Sequence, residues 1–261
     1  MSTTLYRKYR PKTFADVVGQ EIVVTTLQNA LTNNVAGQAY LFTGPRGTGK
    51  TSVARIFAAA LNCSNRNGAI ACGTCAHCLA LAEGQSLDII EIDAASYTGV
   101  DNIRSLRDTM HNAPLLGSYK IFIIDEVHML STGAFNALLK IIEEPPKHVI
   151  FLLATTELHK VPKTIVSRCQ RFDLRKLTLA EIVGKLSRIL VSEKLTADQD
   201  ALALVARAAG GTLRDAESLL TQILALEGDQ KLTKEAVLLA LGMSDQKSLY
   251  DLLLVFANGE T

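Results

Sequence analysis

The sequence predicts a doubly wound α/β domain with a parallel sheet, followed by a small helical domain. Short apolar runs of strand length alternate with helical patterns in the first two thirds of the chain, and only helical patterns follow. The 261 residues are enough for two domains. We therefore expect an α/β domain over residues 1–176, a helical domain over 177–242 and the start of a further helical domain over 243–261.

Four apolar runs lack polar alternation, which is typical of strands covered on both faces of a parallel sheet. These runs are Ala39–Thr43, Ile89–Ala94, Ile121–Asp125 and Val149–Thr155. A helix with one buried face is expected over Lys50–Leu61, directly after the first strand. Ser131 is the expected cap of another helix, which Pro145-Pro146 must end.

The helical domain is predicted from capping signals. Thr178–Glu181 has the pattern of a capping box, in which the hydroxyl and the carboxylate each pair with a free amide, and Thr196–Gln199 repeats the pattern with glutamine. We expect the second helix to end at Gly210-Gly211, a third to begin near Thr212 and a fourth to cover Thr233–Leu241.

Composition and charge exclude several classes of protein. The formal net charge of +1 provides no global attraction for nucleic acid or acidic membranes, so DNA contacts must come from local patches or shared surfaces. The N-terminus has no apolar core of signal-peptide length, and no apolar stretch approaches the roughly 20 residues that cross a bilayer. We therefore expect a cytoplasmic protein, in which clustered cysteines indicate a metal site.

A phosphate-binding loop is predicted after the first strand. The segment matches G-x-x-x-x-G-K-[ST] and comprises Gly44, Pro45, Arg46, Gly47, Thr48, Gly49, Lys50 and Thr51. Its glycines let backbone amides approach phosphates, and the next helix presents its N-terminal amides. Lys50 would reach the β- and γ-phosphates of ATP, and Thr51 would bind Mg²⁺. The alternative is a glycine turn that happens to precede a helix.

Two acids follow a buried strand, at the sheet edge where ligands lie in α/β proteins. Asp125 would hold Mg²⁺, and Glu126 would orient or deprotonate the attacking water. By itself this pair is more typical of a solvated loop, but together with the phosphate loop it predicts a hydrolytic enzyme.

Four of the five cysteines lie close together, at Cys63, Cys72, Cys75 and Cys78. Two overlapping C-x-x-C steps and one earlier cysteine are typical of a tetrahedral, structural Zn²⁺ site at about residues 62–79. Buried free thiols or a redox pair are the alternatives. His77 could compete as a ligand, but we expect it to be a solvated neighbour.

Beyond these motifs, essentially the whole sequence resembles the gamma/tau family of bacterial DNA polymerase III subunits, the AAA+ ATPases of the sliding-clamp loader. The resemblance rests on Tyr9–Gln20, the acid motif Asp125–Leu130, Glu143–Pro146, the Ser167-Arg168-Cys169 signature and the cysteine insertion. It implies that Tyr9–Gln20 helps to enclose the adenine, with Arg10, Val17 and Val18 as nucleotide-binding residues.

The resemblance also implies three roles in catalysis. Arg168 would be an arginine finger for a neighbouring subunit's nucleotide, although composition indicates a surface arginine. Thr156 would be a polar sensor near the γ-phosphate, although buried strand threonines are usually structural. Arg214 would be a second sensor, although a solvated helix arginine paired with Asp215 or Glu217 is the simpler interpretation.

Partners are implied by the same resemblance. They are delta-type and delta-prime-type subunits, further copies of this chain, the sliding clamp and primer–template DNA. Residues 243–261 would begin the family's collar domain, and without the rest of that domain the chain could be monomeric. The rival functions are another AAA+ enzyme, such as a Holliday-junction branch-migration motor, and a non-catalytic assembly subunit. Arg104 and Arg107 are possible DNA contacts, but a solvated helix face is the better interpretation.

Overall fold

The computed structural model describes residues 4–227 and 231–242. Backbone contacts divide the chain into two compact units: an α/β unit, Pro11–Lys176, and a helical unit, Met1–Arg10 with Leu177–Thr261. The start of the chain, predicted to be part of the α/β domain, thus groups with the helical unit, because its first helix packs there. The predicted collar segment, 243–261, lies outside the described residues.

The α/β unit contains a parallel sheet that has, within the described residues, five strands in the order β2-β3-β4-β1-β5. Their bounds are β1 Ala39–Thr43, β2 Ile89–Asp93, β3 Lys120–Asp125, β4 Val149–Thr155 and β5 Gln170–Asp173. The three central strands β3, β4 and β1 are buried almost throughout, which confirms the interpretation of their apolar runs. The prediction was wrong for β2, which forms an edge of the sheet, so that only Ile89 of its five residues is buried. Crossing helices cover both faces of this doubly wound sheet.

The edge strand β5 was not expected from the sequence. It pairs in parallel with β1, placing Phe172 beside Phe42. Its sequence Gln-Arg-Phe-Asp contains one buried residue, so hydrophobic periodicity cannot detect it. An edge strand has a neighbouring strand on one side only. Fewer of its side chains are therefore covered, and exposed polar residues are tolerated there.

Helices pack on both faces because neighbouring residues of a strand point to opposite sides. Phe42 and Leu152 face a cluster that includes Phe57, while Leu41 and Leu153 face a second cluster. The helices of this unit are α2 Glu21–Thr32, α3 Lys50–Asn62, α4 Ala76–Ala82, α5 Val100–Met110, α6 Thr132–Glu143 and α7 Lys163–Val166. Short 3-10 turns cover Phe14–Asp16, Val127–Met129 and Leu158–Lys160.

The predicted boundaries of α6 are confirmed. The Ser131 hydroxyl accepts a hydrogen bond of 3.2 Å from the Ala134 amide and so caps the first turn. The helix ends at Glu143, two residues before Pro145, because proline disfavours helical backbone in the residue before it.

The helical unit contains α1 Leu5–Lys8, α8 Leu179–Ser192, α9 Gln199–Ala208, α10 Leu213–Glu227 and α11 Lys234–Ala240. Its core is apolar and includes Leu186, Val205 and Leu220. The α1 helix belongs to this unit because it packs on α10, where the Leu5 amide donates to the Thr221 hydroxyl over 3.3 Å.

One of the two predicted capping boxes is present. At Thr178 the hydroxyl accepts from the Glu181 amide over 3.3 Å, and the Glu181 carboxylate accepts from the Thr178 amide over 2.8 Å. The second, at Thr196–Gln199, was wrong, because α9 begins only at Gln199. The Thr196 carbonyl instead accepts from the Leu232 amide over 2.9 Å, which keeps this segment extended.

In the part of the chain that the structure describes, no helix combines the length and the apolar character that crossing a bilayer requires.

Candidate functional site

The predicted phosphate loop connects β1 to α3 at the carboxyl edge of the sheet. Gly44, Gly47 and Gly49 have φ values of 142°, 77° and 101°, which disfavour residues with a side chain. At Gly44 a Cβ atom would lie 2.3 Å from the Leu174 carbonyl oxygen, so the loop also needs this glycine for close packing. The loop therefore has the backbone shape that its glycine spacing predicts.

Lys50 is the first residue of α3, and its side chain is buried. Its ammonium group donates to the carbonyl oxygens of Gly44, over 3.0 Å, and Pro45, over 2.9 Å. Burial lowers the pKa of Lys50, while the carboxylates of Glu126 and Asp125 oppose that shift. The cation thus lies inside the loop, among oxygen atoms that an anionic ligand could replace.

The two predicted magnesium ligands are in direct contact. The Thr51 hydroxyl donates a 2.7 Å hydrogen bond to Oδ2 of Asp125, although the residues are 74 positions apart. The other carboxylate oxygen, Oδ1, accepts from the Glu126 amide over 2.9 Å. A hydroxyl and a carboxylate oxygen side by side are a donor set that suits Mg²⁺.

Glu126 directly follows β3 and has left-handed backbone, with φ 48°. Its Oε2 accepts a hydrogen bond of 2.9 Å from the Thr156 hydroxyl, at the end of β4. Such backbone is uncommon for a residue with a side chain and persists only where surrounding contacts enforce it. The structure thus places Lys50, Thr51, Asp125, Glu126 and Thr156 at the carboxyl ends of three neighbouring strands, β1, β3 and β4.

His128, which lies in the 3-10 turn after Glu126, has no role predicted from the sequence. Its ring is buried and lies between the carboxylates of Glu126 and Glu157. The available signal was its place in the acid motif, but one histidine in a motif does not indicate which residues surround it.

Arg168 follows α7 and is partly exposed. Its guanidinium forms a 2.7 Å salt bridge with Glu143, the last residue of α6, and donates to the Thr164 carbonyl over 2.9 Å. Glu143 was part of the family resemblance, but its pairing with Arg168 was not predicted.

The remaining predicted nucleotide-binding residues lie in both units. Val17 packs against the cluster around Phe57, and Val18 is half-buried. Arg10 ends the short segment that groups with the helical unit. In that unit the guanidinium of Arg214 lies 5.3 Å from the centre of the Tyr6 ring, a cation–π contact.

The four clustered cysteines converge. The Sγ atoms of Cys63, Cys72, Cys75 and Cys78 all lie within 4.8 Å of one another. Tetrahedral zinc with Zn–S bonds of about 2.3 Å requires sulfur separations of about 3.8 Å, so small side-chain adjustments would complete a site. Burial of the Cys78 thiol raises its pKa to about 12. For Cys75 burial also disfavours the thiolate, yet hydrogen bonds with Ser64 and Cys78 lower its pKa to about 5.

The expectation that His77 is solvated was wrong. Its ring is buried, and Nε2 lies 3.5 Å from Oδ2 of Asp88. The same carboxylate accepts hydrogen bonds from the amides of Leu115, Leu116 and Gly117. His77 is buried because it lies on the side of α4 that packs against this loop. The packing is close, since a Cβ atom added at Gly117 would lie 2.1 Å from Nε2 of His77.

Two family models match the sequence. The family described as "DNA polymerase III, delta subunit" matches residues 19–178, and the one described as "DNA polymerase III clamp loader subunit, ATPase lid domain" matches residues 181–229. DNA polymerase III subunit gamma of Buchnera aphidicola is 43% identical over 97% of this chain and 68% of its own length. The chain belongs to the DNA polymerase III gamma/tau family.

Longer members of the gamma/tau family are also similar. Subunit tau of Bacillus subtilis is 52% identical over 95% of this chain, and subunit tau of Escherichia coli is 50% identical over 98%. The chain spans 45% and 40% of these two relatives, less than half of their length.

Among solved structures, the Thermotoga maritima RuvB Holliday junction branch migration motor aligns with a TM-score of 0.65. The alignment covers 90% of this chain and 72% of that one, at 20% identity. A likeness at this identity shows the AAA+ fold alone. The gamma/tau relatives, not the branch migration motor, therefore indicate where to look for function.

Proposed function

We propose that this gamma/tau family chain binds ATP and Mg²⁺ at Gly44–Thr51 and hydrolyses ATP as a subunit of a clamp loader. The observation that carries the proposal is the contact between Thr51 and Asp125 beside the buried Lys50. It joins a phosphate loop to an acidic strand end, with Glu126 as the next residue. If the loop were only a glycine turn, or the acids only part of a solvated loop, nothing would require Thr51, Asp125 and Lys50 to lie together.

The residues divide the chemistry among them. Loop amides and Lys50 would bind and orient the β- and γ-phosphates, while Thr51 and Asp125 would hold the metal. When bound, Mg²⁺ would neutralise negative charge on the phosphate oxygens. Glu126 orients the attacking water and accepts its proton, and Thr156 holds the carboxylate that does so.

Two arginines complete the proposed mechanism. Arg168 leaves its partner Glu143 to stabilise charge on a neighbouring subunit's nucleotide, and Arg214 senses the bound nucleotide from the helical unit. Arg10, Val17 and Val18 contact the adenine. The isolated chain should therefore bind nucleotide but hydrolyse it slowly.

The cysteine cluster is proposed to hold one structural Zn²⁺. Four thiolates leave no coordination position open for catalysis, and they suit zinc by ligand type. When bound, the metal supplies a crosslink between α3, the polar segment after it and α4.

The proposed partners are delta-type and delta-prime-type subunits, further copies of the chain, the sliding clamp and primer–template DNA, all in the cytoplasm. The relatives named as DNA polymerase III subunits and the clamp loader lid match support this assignment. ATP binding would arrange the subunits to open the clamp and bind DNA, and hydrolysis would release both.

Substitution of the catalytic acid tests the ATPase. We expect Glu126→Gln to retain ATP affinity and to lose hydrolysis by about 10²-fold or more, as for a general base. Lys50→Ala should abolish nucleotide binding. The control is Glu83→Gln, at an exposed glutamate after α4, which should behave as wild type. Normal affinity in Lys50→Ala, or normal hydrolysis in Glu126→Gln, would refute the site.

Reconstitution distinguishes the rival functions. Clamp-stimulated hydrolysis with clamp-loader subunits supports the proposal, whereas stimulation by four-way junction DNA supports a branch-migration motor. An assembled complex whose hydrolysis is unaffected by Lys50→Ala in this chain would indicate a non-catalytic subunit.

A further inference from the structure

Both ring nitrogens of His128 lie close to polar groups beside Glu126, the proposed catalytic acid. Nδ1 lies 3.0 Å from the Thr155 hydroxyl and 3.5 Å from Oε2 of Glu126. Nε2 lies 3.2 Å from Oε2 of Glu157. The side chain is only 6% exposed, so these groups, rather than water, determine its orientation.

The hydrogen bonds around this ring use both of its nitrogens. The Thr155 hydroxyl oxygen accepts from the Glu157 amide over 3.1 Å, which leaves its own proton free to be donated to Nδ1 of His128. The ring proton then lies on Nε2 and is donated to the Glu157 carboxylate. The partners of His128 thus fix a proton on Nε2 and hold the plane of the ring.

Glu157 is itself held from the solvent side. Lys160 forms a 2.8 Å salt bridge with Oε2 of Glu157 and so holds this carboxylate. The exposed His159 lies farther away, 3.8 Å from Oε1, and does not hold it. Glu157 also begins the 3-10 turn after β4, where its carbonyl accepts from the Lys160 amide over 3.1 Å. The far end of the His128 ring therefore rests on a fixed carboxylate.

On the other side of the ring, the Oε2 atom of Glu126 has two neighbours. Thr156 donates to it, and the edge of His128 limits where it can move. The backbone of Glu126 is left-handed, a conformation that neighbouring contacts must maintain. His128 is two residues away, in the turn that follows directly.

We propose that His128 is a positioning residue for Glu126: it bridges Thr155 and Glu157 and so holds the carboxylate at the angle that hydrolysis needs. This inference rests on the proposed ATPase function. It differs from a merely structural role, because a packed core histidine would contribute ring volume, whereas a positioning residue must keep its polar contacts.

The test compares three variants in the full chain, assembled with its partner subunits. His128→Phe keeps the ring but loses both nitrogens, and we expect single-turnover hydrolysis to fall about 10- to 100-fold, as for a small misplacement of a catalytic group. Affinity for a fluorescent ATP analogue should stay within about twofold. His128→Gln keeps a donor that reaches Glu157 and should recover most of the rate. The matched control is His159→Gln, which touches the same carboxylate from solvent and should have no effect.

A measurement without nucleotide keeps the inference falsifiable if His128→Phe folds poorly. Imidazole ¹⁵N NMR shifts of the wild-type full chain should show that Nε2 of His128 carries a proton, and Glu157→Ala should change those shifts. A wild-type ring that exchanges between tautomers like the exposed His159 would overturn the inference. So would equal hydrolysis by wild type and a folded His128→Phe protein. A wild-type complex that does not hydrolyse ATP would instead refute the proposed function.

Discussion

Arg168 and Glu143 form a salt bridge of 2.7 Å on the surface of the α/β unit. Both side chains are more than a third exposed, at 38% and 41%, and pairs of this kind contribute little to stability. The salt bridge therefore orients the guanidinium but contributes too little free energy to prevent it from moving to another partner. In the proposed complex, a phosphate group of a neighbouring subunit's nucleotide would be a stronger partner than this carboxylate, because it carries more negative charge.

The first prediction concerns the proposed trans action of Arg168. In the assembled complex, Arg168→Ala should lower the ATP hydrolysis rate by about 10³-fold or more, as for other arginine fingers, with unchanged nucleotide affinity. Glu143→Gln should change the rate only a few-fold, because it removes the orienting partner and not the finger. Steady-state hydrolysis and analogue binding measure both effects.

Arg171→Ala is the matched control, since Arg171 is another partly exposed arginine nearby and pairs with Asp173. It should behave as wild type. Rapid hydrolysis that is independent of protein concentration and insensitive to Arg168→Ala would contradict the trans mechanism.

The second prediction concerns the glycines. Gly44→Ala should destabilise the α/β unit by about 2–4 kcal/mol, because it combines unfavourable backbone with overpacking against Leu174. Gly184→Ala, in α8 with no atom near the added Cβ, should instead stabilise the helical unit by about 0.5–1 kcal/mol through helix propensity. Denaturant unfolding of each variant measures the change. A Gly44→Ala protein as stable as wild type would show that the loop is not held as described.

The third prediction concerns metal binding. Elemental analysis should find one zinc per chain, and Cys75→Ser should lose most of it, while Cys169→Ser, outside the cluster, should retain it. Binding should also release protons at pH 7, because Cys78, with a pKa of about 12, must lose its proton to become a ligand. Calorimetry in buffers of different ionisation enthalpy counts these protons. Full zinc content in Cys75→Ser would contradict the ligand set.

The fourth prediction concerns Glu217 in α10, where burial raises the pKa of the carboxyl to about 7, against the attraction of Lys185. Since the folded state binds this proton more tightly than the unfolded state, stability is lost as pH rises from about 4.5 through 7. One pKa unit corresponds to about 1.4 kcal/mol, so the loss is on the order of 3 kcal/mol. Glu217→Gln should remove this pH dependence and stabilise the helical unit at pH 8.

The comparison for this variant is Glu235→Gln, at an exposed glutamate in the first turn of α11. Calorimetric unfolding of both variants and wild type at pH 5 and pH 8 isolates the effect of burial. If Glu217→Gln and wild type lose the same stability between these pH values, the buried carboxyl is not the cause.

The local motifs of the fold and site could be predicted from the sequence. Short-range rules predict the loop Gly44–Thr51, the positions of strands β1 to β4, the cap at Ser131 and the four convergent cysteines. In each case the residue types have few other uses: positive-φ glycines, apolar runs without alternation, and paired C-x-x-C steps. A single sequence therefore sufficed for these features.

Only the tertiary structure decided how polar residues meet. The edge strand β5, the burial of His77 against Asp88, the bridge from Arg168 to Glu143 and the ring of His128 depend on residues brought together from separate segments. Polar side chains have many allowed partners, and their choice depends on which segments the sheet order places side by side. Hydrophobic periodicity does not encode that order. The sequence by itself thus determined which chemical groups the site contains, and the packing of the strands determined which of those groups touch.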